Sequence, residues 1–372
     1  MDRRDRVYGL DILRCIAILF VLFAHSSYML PASEKAKDLY LIYFGSMGVE
    51  IFFVLSGFLV GRIFLEAIAR NSFSWATVKH FWIRRWFRTL PAYYLAFLAS
   101  VLFAYLINGW TILSEPFNYL FFVFLQNFFT RSPDFFGHGW SLSVEEWFYL
   151  LLPFWVGLFM WWGGARNKIL SGIVACIVFS SLLRIVVATL YDVHWNQDIR
   201  RVVPFRLDSL MVGVLTAYLC LRYNELWKKY AVKCMLAGLF VTVIASVWLY
   251  YDVIRHPDTS GFLTKTLFFN VQTAGIALCM PFMSGIGKAG NKWIGAAVTH
   301  ISIISYSLYL FHIMIMYLYL TVCYKLSLGN TLLVKYGGAW AACIIASTII
   351  YYFYEKPCTN LRERFKRPVK TT

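Results

Sequence analysis

Residues 9–25 read GLDILRCIAILFVLFAH, and the reading of this stretch decides the fold. It is apolar enough to enter a membrane, yet it carries Asp11, Arg14 and His25. Asp11 and Arg14 are three apart and so share one helical face. His25 lies eleven residues beyond Arg14, three helical turns on and close to the same face. The axial separation is about 16 Å at ~1.5 Å per residue. Ionisable groups inside a membrane are expensive, and they are paired or functional. An Asp–Arg clamp with a hydrogen-bonded histidine is the structural alternative to a reactive site. Of the three, only His25 titrates in the neutral range in its ordinary state. The preceding MDRRDRVY shows no small-residue cleavage signal before the polar stretch at 31–38, so the segment is expected to be a retained span.

Outward from this stretch the same character continues. Of 372 residues, 60% are hydrophobic, 19% aromatic and only 15% charged, and the mean hydropathy is +0.61. Soluble domains sit near ~45–50% apolar and ~25% charged. A disordered chain, a nucleic-acid-binding tail protein and an ordinary soluble fold are therefore excluded. Apolar windows near 8–29, 44–65, 90–108, 141–162, 169–190, 204–221, 233–251, 264–283, 302–323 and 337–355 predict about ten transmembrane helices. Backbone groups cannot stay unpaired in lipid, which makes the spans helical and the fold all-α and polytopic.

The net charge of +16 sits in loops. With ten spans and a cytoplasmic N-terminus, 23 of the 35 Lys and Arg fall in inside segments. Positive-inside sorting then places both termini in the cytoplasm. FNYLFFVFLQNFF at 117–129 is too short to add to the count and predicts a re-entrant or interfacial helix. Within 62–89, FSWATVKHFWIRRWFRTLP predicts an in-plane helix ending near Pro91. Residues 1–356 form one membrane domain, and 357–372 a short basic tail. Eight cysteines without a CxxC read as small hydrophobes, not as a metal site.

Other spans repeat the polar intrusions. Glu50 lies in FGSMGVEIFFVLSGFLVGRIFL, where Gly48, Ser56 and Gly57 allow close helix contact and Glu50 can pair with Arg14 or another base. HGWSLSVEEWFYLLLP carries Ser141, Ser143, Glu145 and Glu146, and a capping box accounts for part of that pattern. Arg184, Arg206, Asp208 and His312 complete the set. Together they predict a polar interior, either a reaction chamber or a transport path.

These motifs make the chain recognisable. GLDILRCIAILFVLFAH, GVEIFFVLSGFLVGRIF, RRWFRTLPAYY, SLSVEEWFYLLLP, FRLDSLMVGVL, SYSLYLFH and YYFYEKP resemble, in order, the signatures of acyltransferase family 3 integral membrane O-acyltransferases. Glu50 stands where aspartate is familiar. The resemblance implies transfer of an acyl group, commonly acetyl, from a coenzyme A thioester to a carbohydrate hydroxyl. Acceptors in the family include lipopolysaccharide O-antigens, exopolysaccharides, lipid-linked sugars and peptidoglycan. Some members carry a fused extracytoplasmic hydrolase-like domain, which this sequence is not expected to contain. The expected home is the bacterial inner membrane, in contact with membrane lipids and open to polysaccharide-assembly partners. No resident cofactor is expected, and acetyl-CoA or another acyl-CoA is a cosubstrate.

The resemblance implies that Arg14 and His25 are the bracketing basic residue and histidine of the active site. A sugar hydroxyl needs a general base, and His25 takes that role, with acyl transfer through its imidazole as the alternative. Glu145 is expected to orient His25 or an acceptor hydroxyl. Arg84, Arg85 and Arg88 are expected to hold donor phosphates, lipid headgroups being the competing ligand. Asp11, Glu50, Ser143 and His312 are supporting candidates. A secondary transporter and a non-enzymatic assembly subunit remain as other classes for such a polar interior.

Overall fold

The computed structural model describes residues 6–71, 73–109, 118–161, 167–256, 260–327 and 331–365. Ten long helices organise them, and no strand occurs among the described residues. They are α1 (Tyr8–Ser26), α2 (Glu34–Asn71), α3 (Trp75–Asn108), α4 (Trp140–Trp161) and α5 (Asn167–Leu190). Then follow α6 (Leu207–Arg222), α7 (Ala231–Arg255), α8 (Phe268–Gly285), α9 (Lys292–Lys325) and α10 (Gly338–Ile350). Each of the ten expected windows falls mainly on one of these helices. By length and composition, eight helical segments of the described residues can cross a membrane, and α6 and α8 are not among them.

Membrane exposure follows from which faces stay apolar outside the bundle. On α5, Val174, Val178 and Leu182 recur every four residues and are about half exposed. Leu236, Phe240, Val243 and Val247, three or four residues apart, are half to two-thirds exposed on α7. Water would penalise such stripes, whereas lipid does not. The chain is a multi-pass membrane protein.

Inside, α1 packs between α2 and α9, α2 lies along α6, and α7 lies along α8. The α2–α6 contact is backbone-close. A Cβ added at Gly57 would sit 1.9 Å from the Leu210 carbonyl oxygen, and one at Gly213 2.3 Å from that of Val54. Two ion pairs lie in this interior. Arg184 meets Asp208 at 2.8 Å, and Arg206 meets Glu50, all four side chains being essentially inaccessible.

Two local expectations change. The in-plane helix ending near Pro91 is instead the first half of α3, which runs through the proline to Asn108. Pro91 removes one intrahelical donor, but nearby carbonyls gain side-chain donors. Tyr306 Oη donates to the Thr89 carbonyl at 2.8 Å, and Tyr354 Oη to that of Pro91 at 3.3 Å. The re-entrant helix at 117–129 is, where described, a 3-10 helix over Asn118–Val123 followed by left-handed Phe124. Ser143 Oγ and Trp147 Nε1 donate to the Phe124 carbonyl, and Tyr93 Oη donates to that of Phe121. Protein groups thus satisfy a backbone that lacks helical partners. In the basic tail, Lys356–Asn360 and Leu361–Phe365 are helical turns against α3, and 366–372 lie outside the described residues.

Candidate active site

Two cavities open among these helices, at opposite ends of α1. The first, about 100 Å³, lies at the Arg14 end. Its polar wall is Arg14 from α1, Ser56 from α2, Arg85 and Arg88 from α3, and Glu145 and Tyr149 from α4. Tyr149 Oη donates to Glu145 at 2.8 Å, so the single phenolic proton is used and Ser56 Oγ donates to Tyr149 in turn. The Arg85 guanidinium lies 4.3 Å from the centre of the Tyr149 ring. Arg14 donates to Ser302 Oγ at 3.1 Å, and Ser302 donates to Asp11 at 2.7 Å. Asp11 is held mainly by Arg6, through two bonds of 2.7 and 2.8 Å, with Arg14 farther off at 3.5 Å. Three guanidinium groups therefore face one carboxylate, which makes this an anion-accepting cavity.

The second cavity, about 600 Å³, lies at the His25 end. His25, His138, Asp134, Asn196, Arg200 and Arg201 provide its polar wall. Here the hydrogen bonds fix a tautomer. His312 Nδ1 lies 2.8 Å from the Tyr309 carbonyl and 3.1 Å from that of Leu308. Carbonyls only accept, so Nδ1 carries the proton and His312 Nε2 holds a lone pair. His312 Nε2 is 3.1 Å from His25 Nδ1, which must then be the donor. Val21 carbonyl, 3.0 Å from the same nitrogen, fits that assignment. His25 is left with an unprotonated Nε2 on a residue that lines the large cavity. His138 stands beside this pair, its ring 5.6 Å from that of His312 and its Nε2 3.0 Å from the Leu310 carbonyl. Among the described residues, no group of three or more His, Cys, Asp or Glu is disposed to hold a metal ion.

Val49 and Tyr309 line both cavities and form the wall between them. The Tyr309 hydroxyl donates to the His138 carbonyl at 2.9 Å and accepts from Ser141 at 2.6 Å. Its ring is thereby pinned between a residue of each chamber.

The sequence-derived candidates divide accordingly. Arg14, Arg85 and Arg88 meet in one cavity, while His25 belongs to the other with His312 directly behind it. Arg84 is absent from the lining of both. Glu145 does not orient His25: it lies one helical turn from Tyr149 and faces the arginine cavity. Glu50 pairs with Arg206, not Arg14, and lines neither cavity. Ser143 ties down the Phe124 carbonyl and lines neither cavity. Asp11 supports Arg14 through Ser302. Sequence reading missed His138, Tyr149, Tyr309, Arg200 and Arg201. The ArgArg pair carried a usable signal, since a dibasic pair in a loop assigned to the outside runs against positive-inside sorting.

Fold and site together define a polytopic membrane protein with an anion-accepting chamber backed onto a histidine chamber. A family profile described as an acyltransferase domain matches residues 7–352, and the chain belongs to this acyltransferase family 3. It is 26% identical over 94% of its length to a Bacillus subtilis protein provisionally named a peptidoglycan O-acetyltransferase, covering 54% of that protein. A peptidoglycan O-acetyltransferase of Listeria monocytogenes is 30% identical over 43% of this chain and 25% of its own. An O-acetyltransferase of Staphylococcus aureus is 25% identical over 71% of this chain and 40% of its own. The chain thus spans about half, or less, of these relatives. No solved structure matches it.

Proposed function

We propose that this protein transfers an acyl group, acetyl in the simplest case, from acyl-CoA to a hydroxyl of a cell-surface or lipid-linked carbohydrate. The observation that carries the reading is the unprotonated Nε2 of His25 on a cavity that shares a wall with an arginine-lined one. Arg85, Arg88 and Arg14 offer forked donors to the phosphates of the donor. Its pantetheine arm then reaches past Tyr309 toward His25.

His25 Nε2 accepts the proton of the acceptor hydroxyl as the oxygen attacks the thioester carbonyl. The tetrahedral intermediate collapses, the C–S bond breaks, and His25 returns the proton to the departing thiolate. Products are the O-acyl carbohydrate and free CoA. His312 Nε2 accepts from His25 Nδ1–H and so steadies the base throughout.

The arginine chamber faces the cytoplasm in this reading, where acyl-CoA is dissolved, with both termini on that side of the bacterial inner membrane. Basic residues at that end of the helices, including Arg62, Arg70, Lys228 and Lys229, support this orientation. The acceptor enters from the outer face. The names of the relatives make peptidoglycan the first acceptor to try.

The test uses detergent-purified protein, labelled acetyl-CoA and candidate glycans. Labelled glycan supports the reading. Solute flux in proteoliposomes without labelled product would replace it with transport, and neither product nor flux would leave an assembly role.

A further inference from the structure

The histidine chamber carries a feature that deprotonating a neutral hydroxyl does not require. Arg200 and Arg201 stand side by side on its wall. Arg200 is only 7% exposed. It donates to the Gly45 carbonyl at 3.0 Å and to Asn196 at 2.9 Å, and its guanidinium stacks 4.9 Å from the centre of the Trp140 ring. Its Nε is nevertheless buried without a hydrogen-bond partner, as is that of Arg201. Neither arginine forms an ion pair among the described residues. Burial, followed by the like charge of Arg201, pushes the Arg200 pKa down to about 9. Arg206 also has unpartnered nitrogens, but it and Arg184, the other buried arginines, each have a carboxylate partner. Asp134 is the one acid on the chamber lining. Two adjacent cations, the first fixed by its hydrogen bonds and both short of an anion, are costly to maintain unless a ligand completes them.

From this juxtaposition we infer that the acceptor is an anionic saccharide, whose carboxylate or phosphate binds the Arg200–Arg201 pair while a nearby hydroxyl faces His25. The inference rests on the acyl-transfer reading and names its acceptor class. The forks suit either planar carboxylate or phosphate. Trp140, Phe135 and Phe136 supply flat apolar surface in the same chamber for sugar-ring faces. Ile107, Ile313 and Tyr317 at its margin are more than a third exposed, on the surface that meets lipid. A lipid-linked acceptor thus has a lateral approach, with a diphosphate at the arginines.

The experiment is calorimetric binding to the full-length protein in detergent, with no acyl donor present. The probes are a neutral N-acetylglucosamine oligomer, a uronate-containing oligomer of equal length and a prenyl diphosphosaccharide. Binding of either charged probe at least about tenfold tighter than the neutral one is expected, the scale of a charge-assisted hydrogen bond. The preference should weaken with added salt. The uronate and diphosphate arms separate a carboxylate source from a phosphate source. Arg201→Gln should erase most of the preference and Arg201→Lys should restore part of it, each in protein that elutes as the parent does. Equal affinity of the parent for neutral and charged probes overturns the inference, whatever the variants do. Charge preference here with no product in the labelled-donor assay would leave Arg200 and Arg201 an anionic-saccharide site and overturn its role as the acceptor site together with the acyl-transfer reading; transfer with no charge preference would overturn this inference alone.

Discussion

The two chambers are built on the same helices and differ in how their polar groups are paired. In the arginine chamber two connected sets stand out: Ser56, Tyr149 and Glu145 form one chain, and Arg14, Ser302 and Asp11 another, while Arg85 Nε is buried without a partner. In the histidine chamber, backbone carbonyls hold His312 and His138, while His25 Nε2 and the Nε atoms of Arg200 and Arg201 are left over. The first arrangement suits binding, where many fixed donors grip a multiply charged ligand. The second suits chemistry, where one lone pair must be held in position and kept free. The division between gripping and reacting is thus the presence, in the second chamber, of an imidazole lone pair left free beside its donors.

Substitutions can break this contrast at either side. The largest effect is expected at His25. His25→Gln keeps a polar planar group but cannot accept a proton near neutral pH, and transfer should fall roughly 10²–10⁴-fold in a steady-state assay with labelled donor. Trapping of a labelled acyl-enzyme in the parent without acceptor would convert the base into a covalent carrier. His312→Phe keeps the ring and removes the lone pair that fixes the His25 tautomer. It should lower kcat by about 10²-fold at most, the scale of a misplaced group, with donor KM unchanged. An altered donor KM with kcat retained would detach His312 from His25.

Smaller effects should appear across the wall. Arg85→Ala or Arg88→Ala should raise donor KM by about tenfold or more through lost charge-assisted bonds, with acceptor KM little altered. Unchanged donor kinetics in a folded double variant would give these arginines to lipid headgroups. Ser143→Ala should be the mildest. It leaves the Phe124 carbonyl one donor short, and thermal unfolding in detergent should show a loss of about 1 kcal/mol with both KM values retained. A large activity loss there would return Ser143 to the site.

How much was legible follows the same contrast. The spans, the Arg14–His25 spacing and the Arg85–Arg88 cluster were readable because lipid makes every charge in a helix conspicuous. Which chamber a charge faces was not. Glu145 and Glu146 are adjacent; Glu145 shares a helix face with Tyr149, and only the rotation of α4 against α3 turns that face toward Arg85. His138 and the Arg200–Arg201 pair lie between spans, where polar residues are unremarkable, and tertiary folding turns them into the cavity wall. Pro91 misled because the side-chain donors of Tyr306 and Tyr354, more than 200 residues away, support the carbonyls around it. Glu50 found Arg206 across a distance in sequence that no local pattern encodes.

The central claim is that donor and base occupy separate, abutting chambers. Coenzyme A binding measured on the parent, His25→Gln and Arg88→Ala proteins, without acceptor, tests it directly. The account predicts a Kd for His25→Gln within about twofold of the parent and one for Arg88→Ala weakened about tenfold or more. Equal weakening in both variants would mean a single undivided site and would contradict it.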